Sequence, residues 1–295
     1  MPELSPPSES THLSGRDRPP LSAQAILLGG LLAFVALVFA IDQLRGTLSV
    51  VGPLAAVPLA LIPAVLWLIY FYRRDIHEPE PTHYVVGVFL LGALVAAPLS
   101  SFVTDALFKG PAWGVLPRWG VTEAVAAFLI VAPVQEVSKY LVVRYTVYLS
   151  AEFDEPMDGI VYMTAAGLGF ATAWNIQQMT RAPQVALTTA AINAVTVTLA
   201  HASLSGVVGY ALGRAKFIGS EGHQTRVLSL GLGVAMALSG SFSMIEHVAT
   251  RHGLDYRPAW GLASAALFAI LVFAFLSLLV DRHLARSPHR RQEAQ

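Results

Sequence analysis

The stretch "VAPVQEVSKYLVVRY", residues 131–145, is an apolar helical segment that holds an amide, an acid and an amine within about one turn, at Gln135, Glu136 and Lys139. On a helix, Glu136 and Lys139 are i,i+3 neighbours and Gln135 and Lys139 are i,i+4 neighbours, so one lysine can meet both side chains. Ionisable groups in a membrane-grade segment are costly and normally face the interior of a bundle. The segment therefore reads as an interior membrane helix with two readings open. Either the pair neutralises itself to support packing, or Glu136 is a carboxylate poised to activate water beside an ammonium.

The rest of the chain agrees with a membrane setting. Of its 295 residues, 55% are hydrophobic and 13% charged, with a mean hydropathy of +0.58. Soluble domains carry about a quarter charged residues. The formal net charge of zero gives no basic surface for nucleic acid. The lack of cysteine excludes disulfides, thiolate metal sites and a cysteine nucleophile.

A hydrocarbon core needs about 20 apolar residues per helix. Eight segments approach that length, at 25–41, 48–72, 84–107, 121–149, 158–178, 185–213, 227–249 and 259–280. The first is short but lacks a clear cleavage site, so it is expected to be a retained span. The second contains Pro53, Pro58 and Pro63, which a membrane helix tolerates. Trp113 and Trp119 resemble interface anchors. The expected architecture is all-α, a polytopic bundle of about eight spans over residues 25–280. A disordered tail precedes it over 1–24 and a basic tail comes after it over 281–295. Eleven loop and tail lysines and arginines fall on the side of the termini and six on the other, which predicts both termini in the cytoplasm. The two halves show no inverted repeat of the kind secondary transporters carry, which weakens a transporter or channel reading.

Three further polar constellations lie in spans. Residues 152–175, "EFDEPMDGIVYMTAAGLGFATAWN", lead from an acidic loop into a helix rich in small residues, with Phe170 and Trp174 one turn apart and Asn175 supplying an amide. His201 lies deep in "TLAHASLSGVVGYALGRAKF", residues 198–217, among small residues with Ser203 and Ser205. Ser239, Ser243 and Glu246 share a face of "ALSGSFSMIEHVAT", residues 237–250, where Glu246 and His247 fall near the extracytoplasmic end. Each has a structural reading: a packed interior helix, a histidine satisfied by a neighbouring helix, and an interfacial pair. No HExxH, GxSxG, Ser-x-x-Lys, Walker or Rossmann pattern is present, and one buried histidine with one glutamate falls short of three zinc ligands. No metal or other cofactor is expected.

The stretches "YFYRRDIHEPEPTHYVVGVFLLGAL" (69–93), "EFDEPMDGIVYMTAAGLGF" (152–170) and "HASLSGVVGYALGRAKF" (201–217) resemble the PrsW family of intramembrane, glutamic-type proteases, which is related to the CAAX-processing membrane proteases. The likeness runs from about residue 60 to 280, and the loop with Asp75, Glu78, Pro79, Glu80 and Pro81 is specific to it. The resemblance implies an E-E-x-x-K motif, an F-x-x-x-E-N motif, a histidine followed by spaced glycines, and a later histidine. Glu136, Lys139, Phe170, Asn175 and His201 match these motifs. Gln135 stands where a second glutamate is expected, Trp174 where the second motif has its acid, and Ser239 where the later histidine falls.

By resemblance, then, Glu136, His201 and Lys139 are the catalytic candidates, with Asn175 and Glu246 as candidate supporting groups. A glutamine cannot exchange a proton, a tryptophan offers only an N–H donor, and a serine does not replace an imidazole near neutral pH. The expectation is a divergent, impaired or inactive intramembrane endopeptidase of the bacterial cell membrane, belonging to the field of regulated proteolysis. Its partners would be single-span membrane proteins, as substrates or as clients of a pseudoprotease. An active protease using Glu136 and His201 is the alternative.

Overall fold

Pro98 and Pro133 each sit two residues beyond a π turn, Gly92–Ala96 and Ala127–Val131. A proline inside a helix donates no bond to the carbonyl four residues back. Those carbonyls, of Leu94 and Leu129, lie within the π turns, where bonding shifts to the fifth residue. The Ala97 amide donates to the Gly92 carbonyl and the Ala132 amide to the Ala127 carbonyl. Each π turn thus admits a proline without ending its helix, and the extra residue rotates the remainder of the helix by about 100°. The second turn thereby sets the direction in which Glu136 points.

The computed structural model describes residues 21–45, 53–73, 80–108, 125–181, 186–252, 255–256 and 258–284. In chain order the elements are α1 (Leu21–Arg45), α2 (Pro53–Tyr72), α3 (Thr82–Leu91) continuing through the first π turn into α4 (Ala97–Phe108), and the second π turn leading into α5 (Ala132–Tyr145). Next come α6 (Pro156–Arg181), α7 (Leu187–Lys216), α8 (Glu221–Thr250) and α9 (Pro258–Leu284). Two-residue strands, β1 (Arg251–His252) and β2 (Asp255–Tyr256), pair antiparallel between α8 and α9, with Arg251 opposite Tyr256. The fold is an all-α bundle, and its rods coincide with the eight expected segments.

Five rods are long and apolar enough to cross a membrane on their own terms: α1, α2, α3–α4, α7 and α8. The apolar part of α9 over Ala263–Leu276 is shorter. Neither α5 nor α6 meets that measure among the described residues. Helix α5 is short, at 14 residues, and carries Glu136, Lys139 and Arg144, whereas for α6 the reason is location. Along α6 every residue from Met157 to Thr172 is buried, so protein rather than lipid surrounds its small and polar side chains. The outer helices do the opposite: Leu32, Leu94, Phe102 and Leu230 are 69–73% exposed, an apolar surface suited to hydrocarbon.

At the centre, α6 and α7 run antiparallel along their whole lengths. Pro156 lies against Gly213, Gly159 against Gly209, and Gly167 against His201 and Ser205. A Cβ at Gly159 would fall 2.7 Å from the Gly213 amide nitrogen, and one at Gly167 would fall 2.7 Å from the His201 carbonyl oxygen. Only hydrogen fits at these positions, so the glycines fix both the separation and the register of the pair. Helices α2 and α3 with the first π turn cover α6, while α1, α8 and α9 pack on α7. Helix α5 fits against α4, α6 and α8. Most of the expected N-terminal tail (1–20), the end of the C-terminal tail (285–295), Trp113, Trp119 and the side chains of Glu246 and His247 lie outside the described residues.

Candidate active site

The register of α6 and α7 decides which polar groups meet. Ala194, Thr198, His201 and Ser205 recur at helical spacing and face α6. Opposite them stand Asn175, Phe170 and Gly167. The Asn175 amide donates to Thr198 Oγ1 at 3.2 Å and to the Ala194 carbonyl at 3.4 Å. The Phe170 ring lies 5.0 Å from the His201 ring, centroid to centroid.

Helix α5 delivers the charged pair to this seam. Lys139 Nζ donates to Glu136 Oε1 at 2.7 Å, and both side chains have no solvent exposure. The second described partner of Lys139 is His201 Nδ1, at 3.4 Å, rather than Gln135. Lys139 Nζ also stands 5.3 Å from the centre of the Phe170 ring. Glu136, Lys139 and His201 are thereby brought together from two helices that are far apart in sequence. Both ends of the ion pair are out of water, so removing either partner leaves a buried charge uncompensated.

Several buried polar atoms at and near this seam have no hydrogen-bond partner: Glu136 Oε2, Asn175 Oδ1, and the Ser203 and Ser205 hydroxyls. Unsatisfied buried groups are rare in folded proteins, and a carboxylate oxygen is among the most costly. Glu136 therefore presents one oxygen held by Lys139 and one oxygen uncommitted. Chemically this is an acceptor able to take a proton, joined through Lys139 to an imidazole able to donate or accept one.

The remaining sequence candidates are placed differently. Trp174, partly exposed, stacks on Phe170 at 6.2 Å and 15° and packs on a cluster of Ala96, Ala97, Val142 and Phe170. Its ring is thus the outer layer of an aromatic ladder that ends at His201. Gln135 is buried on α5 beside Glu136. Ser239 is buried on α8, where its carbonyl accepts the Ser243 hydroxyl at 3.2 Å, and no described hydrogen bond joins it to Glu136 or His201. Thr198, the anchor of Asn175, belongs to none of the sequence motifs. Its one signal in the chain is its place three residues before His201, on the same helix face.

A second polar knot lies toward the other end of α6, where Tyr162 and Asp158 stand about 12 and 18 Å along the helix from Phe170. The Tyr162 hydroxyl donates to the Glu80 carboxylate, and Asp158 accepts the Glu155 amide at 2.7 Å. Lys216 donates to the Tyr148 carbonyl at 2.8 Å and to the Phe153 carbonyl. These bonds tie the start of α3, the α5–α6 loop and the end of α7 together. Here Glu80 and the stretch 153–158 serve as struts, because their described polar groups bond at this end of α6 rather than to Glu136.

The family profile described as PrsW family intramembrane metalloprotease matches residues 80–280. Among similar proteins is Protease PrsW of Geobacillus kaustophilus, 38% identical over 155 residues, which covers 52% of this chain and 64% of the relative. Protease PrsW of Bacillus subtilis is 30% identical over 65% of this chain and 82% of its own length. Protease PrsW of Shouchella clausii is 30% identical over 63% of this chain and 80% of its own length. No solved structure matches. The profile's description implies a metal, and the donor set does not fit one. Catalytic zinc takes three protein ligands. Among the described residues no three histidine or acidic side chains cluster. Between the one carboxylate and the one imidazole of this site lies the Lys139 amine, which repels a second cation.

Proposed function

Since the chain belongs to the PrsW family of intramembrane proteases, we propose that it is an integral membrane endopeptidase homologue of sharply reduced activity, whose residual chemistry rests on Glu136 and His201. One observation carries this reading. Glu136 and His201 meet at a buried Lys139, with an uncommitted carboxylate oxygen, while Trp174 caps the same cluster through Phe170.

In the reaction this supports, Glu136 Oε2 takes a proton from water as the water oxygen bonds to the scissile carbonyl carbon. His201 stabilises the negative oxygen that forms. Collapse breaks the carbon–nitrogen bond, and the proton held by Glu136 passes to the leaving amine. What is missing is a second acid to share this traffic, because the Gln135 amide does not titrate as an acid or base. Each lost acid or base removes about 10²–10⁴ of rate, and groups that act as a unit do not add simply. Single-span membrane proteins are the substrates that a site buried among membrane helices would meet.

The test compares wild type with the triple variant Gln135→Glu, Trp174→Glu, Ser239→His in liposomes holding single-span substrates. The triple variant is expected to cleave at least about 10²-fold faster. Wild type cleaving as fast as the triple variant would overturn the impaired reading. Trp174 also favours a second reading, a client-binding pseudoprotease. Site-specific crosslinks from Trp174 to an uncleaved single-span protein are its expected sign.

A further inference from the structure

Glu136 and His201 do not touch through an ordinary acid–imidazole hydrogen bond; the nitrogen of Lys139 stands between them, 2.7 Å from Glu136 Oε1 and 3.4 Å from His201 Nδ1. We propose that Lys139 is a positioning residue that holds His201 in its Nε2–H tautomer, so that the imidazole serves as a hydrogen-bond donor to substrate rather than as the base. The inference rests on Glu136 and His201 being the working pair.

Donors and acceptors decide the tautomer. A lysine ammonium has three N–H donors and no lone pair. It satisfies Glu136 Oε1 with one of them. Facing the same ammonium, His201 Nδ1 can only accept, because an Nδ1–H would point a proton at a group that cannot receive it. A neutral imidazole with Nδ1 bare carries its proton on Nε2. The side chains give little room for the ring to turn over: His201 is 6% exposed, Lys139 is fully buried, and the Phe170 ring lies 5.0 Å from the His201 ring.

One side chain thereby has two roles. On the Glu136 side, Lys139 binds one oxygen and leaves the other as the acceptor. On the His201 side, it occupies the basic nitrogen and leaves an N–H donor. The site therefore presents a base and an electrophilic donor that cannot exchange duties. This pairing matches the needs of carbonyl hydrolysis, where one group takes the proton of water and the other meets the developing oxyanion. In hydrolytic triads, holding the imidazole in the wrong tautomer lowers kcat by about 10⁴.

The experiment is nitrogen NMR on the full chain in detergent micelles with ¹⁵N-histidine. The His201 resonances are identified by their loss in His201→Asn, and long-range correlations to the ring protons distinguish Nδ1 from Nε2. Wild type is expected to show a bare Nδ1 and a protonated Nε2. The double variant Glu136→Gln, Lys139→Met, which leaves no unpaired charge, is expected to relax from a single Nε2–H form to the tautomer mixture of a free neutral imidazole, with a measurable Nδ1–H population. A protonated Nδ1 in wild type overturns the proposal, and so does an unchanged Nε2–H tautomer in the double variant. If the double variant does not fold, the wild-type spectrum alone decides. Proteolysis is a separate readout: a chain that cleaves nothing but keeps the Nε2–H signature removes the peptidase reading and leaves the Lys139 assignment standing. Where cleavage is measurable, Lys139→Met is expected to lower kcat on the order of 10²-fold or more with KM little changed.

Discussion

Glu136 is the residue on which the proposed chemistry and the stability of the bundle converge. Its carboxylate neutralises a lysine that has no solvent exposure, so its loss has a structural effect separable from catalysis. Glu136→Ala is expected to lower stability by about 3–5 kcal/mol, the usual effect of leaving one buried charge unpaired. Adding Lys139→Met should restore much of that loss, because no charge then remains. Thermal unfolding of the three proteins in detergent, monitored by far-UV circular dichroism, checks this. Equal stability of the single and double variants would show that the pair is not coupled. Glu136→Gln, which keeps the shape, should abolish residual cleavage. The spacing of Glu136 and Lys139 is legible in sequence, since i,i+3 contact is a property of any helix. The choice of His201 over Gln135 as the second partner is not, because it depends on a helix 62 residues away.

Among the elements, the α6–α7 pair is the frame, and glycine is what makes it. At Gly209 an added side chain would meet the Gly159 backbone, whereas at Gly233 on α8 nothing lies within 4 Å. Gly209→Leu is therefore expected to destabilise the bundle by about 1–3 kcal/mol or more, by overpacking against a backbone that cannot yield. Gly233→Leu should be close to neutral. Comparing their unfolding temperatures shows whether register, rather than helix propensity, is at stake. The small-residue runs in α6 and α7 are visible in the sequence and imply close helix packing. Which helix each run packs against is not visible there. The π turns are likewise hidden: Pro98 and Pro133 are plain in the chain, yet whether a proline kinks, ends or widens a helix depends on what its neighbours can satisfy.

For the whole molecule, eight rods place both ends of the chain on one side of the membrane if each crosses once. The lysine and arginine bias predicts that this side is the cytoplasm. The chain has no cysteine, so single introduced cysteines report their side without background. Ala186 and Ser220 are exposed at opposite ends of α7. Ala186→Cys should react with an impermeant maleimide on intact cells, and Ser220→Cys only after the membrane is opened. The reverse pattern would invert the orientation.

The sequence by itself determined that this is a helical membrane protein, where its long helices lie, and that Glu136 and Lys139 share a helix face. These are consequences of composition and of helical period, which act over one or two turns. It also carries stretches that resemble the family motifs, with Gln135, Trp174 and Ser239 as the expected departures. The tertiary structure decided what those residues do to one another. It turned Lys139 toward His201, left one oxygen of Glu136 uncommitted, placed Trp174 over Phe170, and tied Glu80 to Tyr162, apart from the site. The physical reason is that partner choice depends on the register between α6 and α7 and on the rotation of α5 by its π turn. Both are settled by packing between helices distant in sequence, where no local pattern reaches.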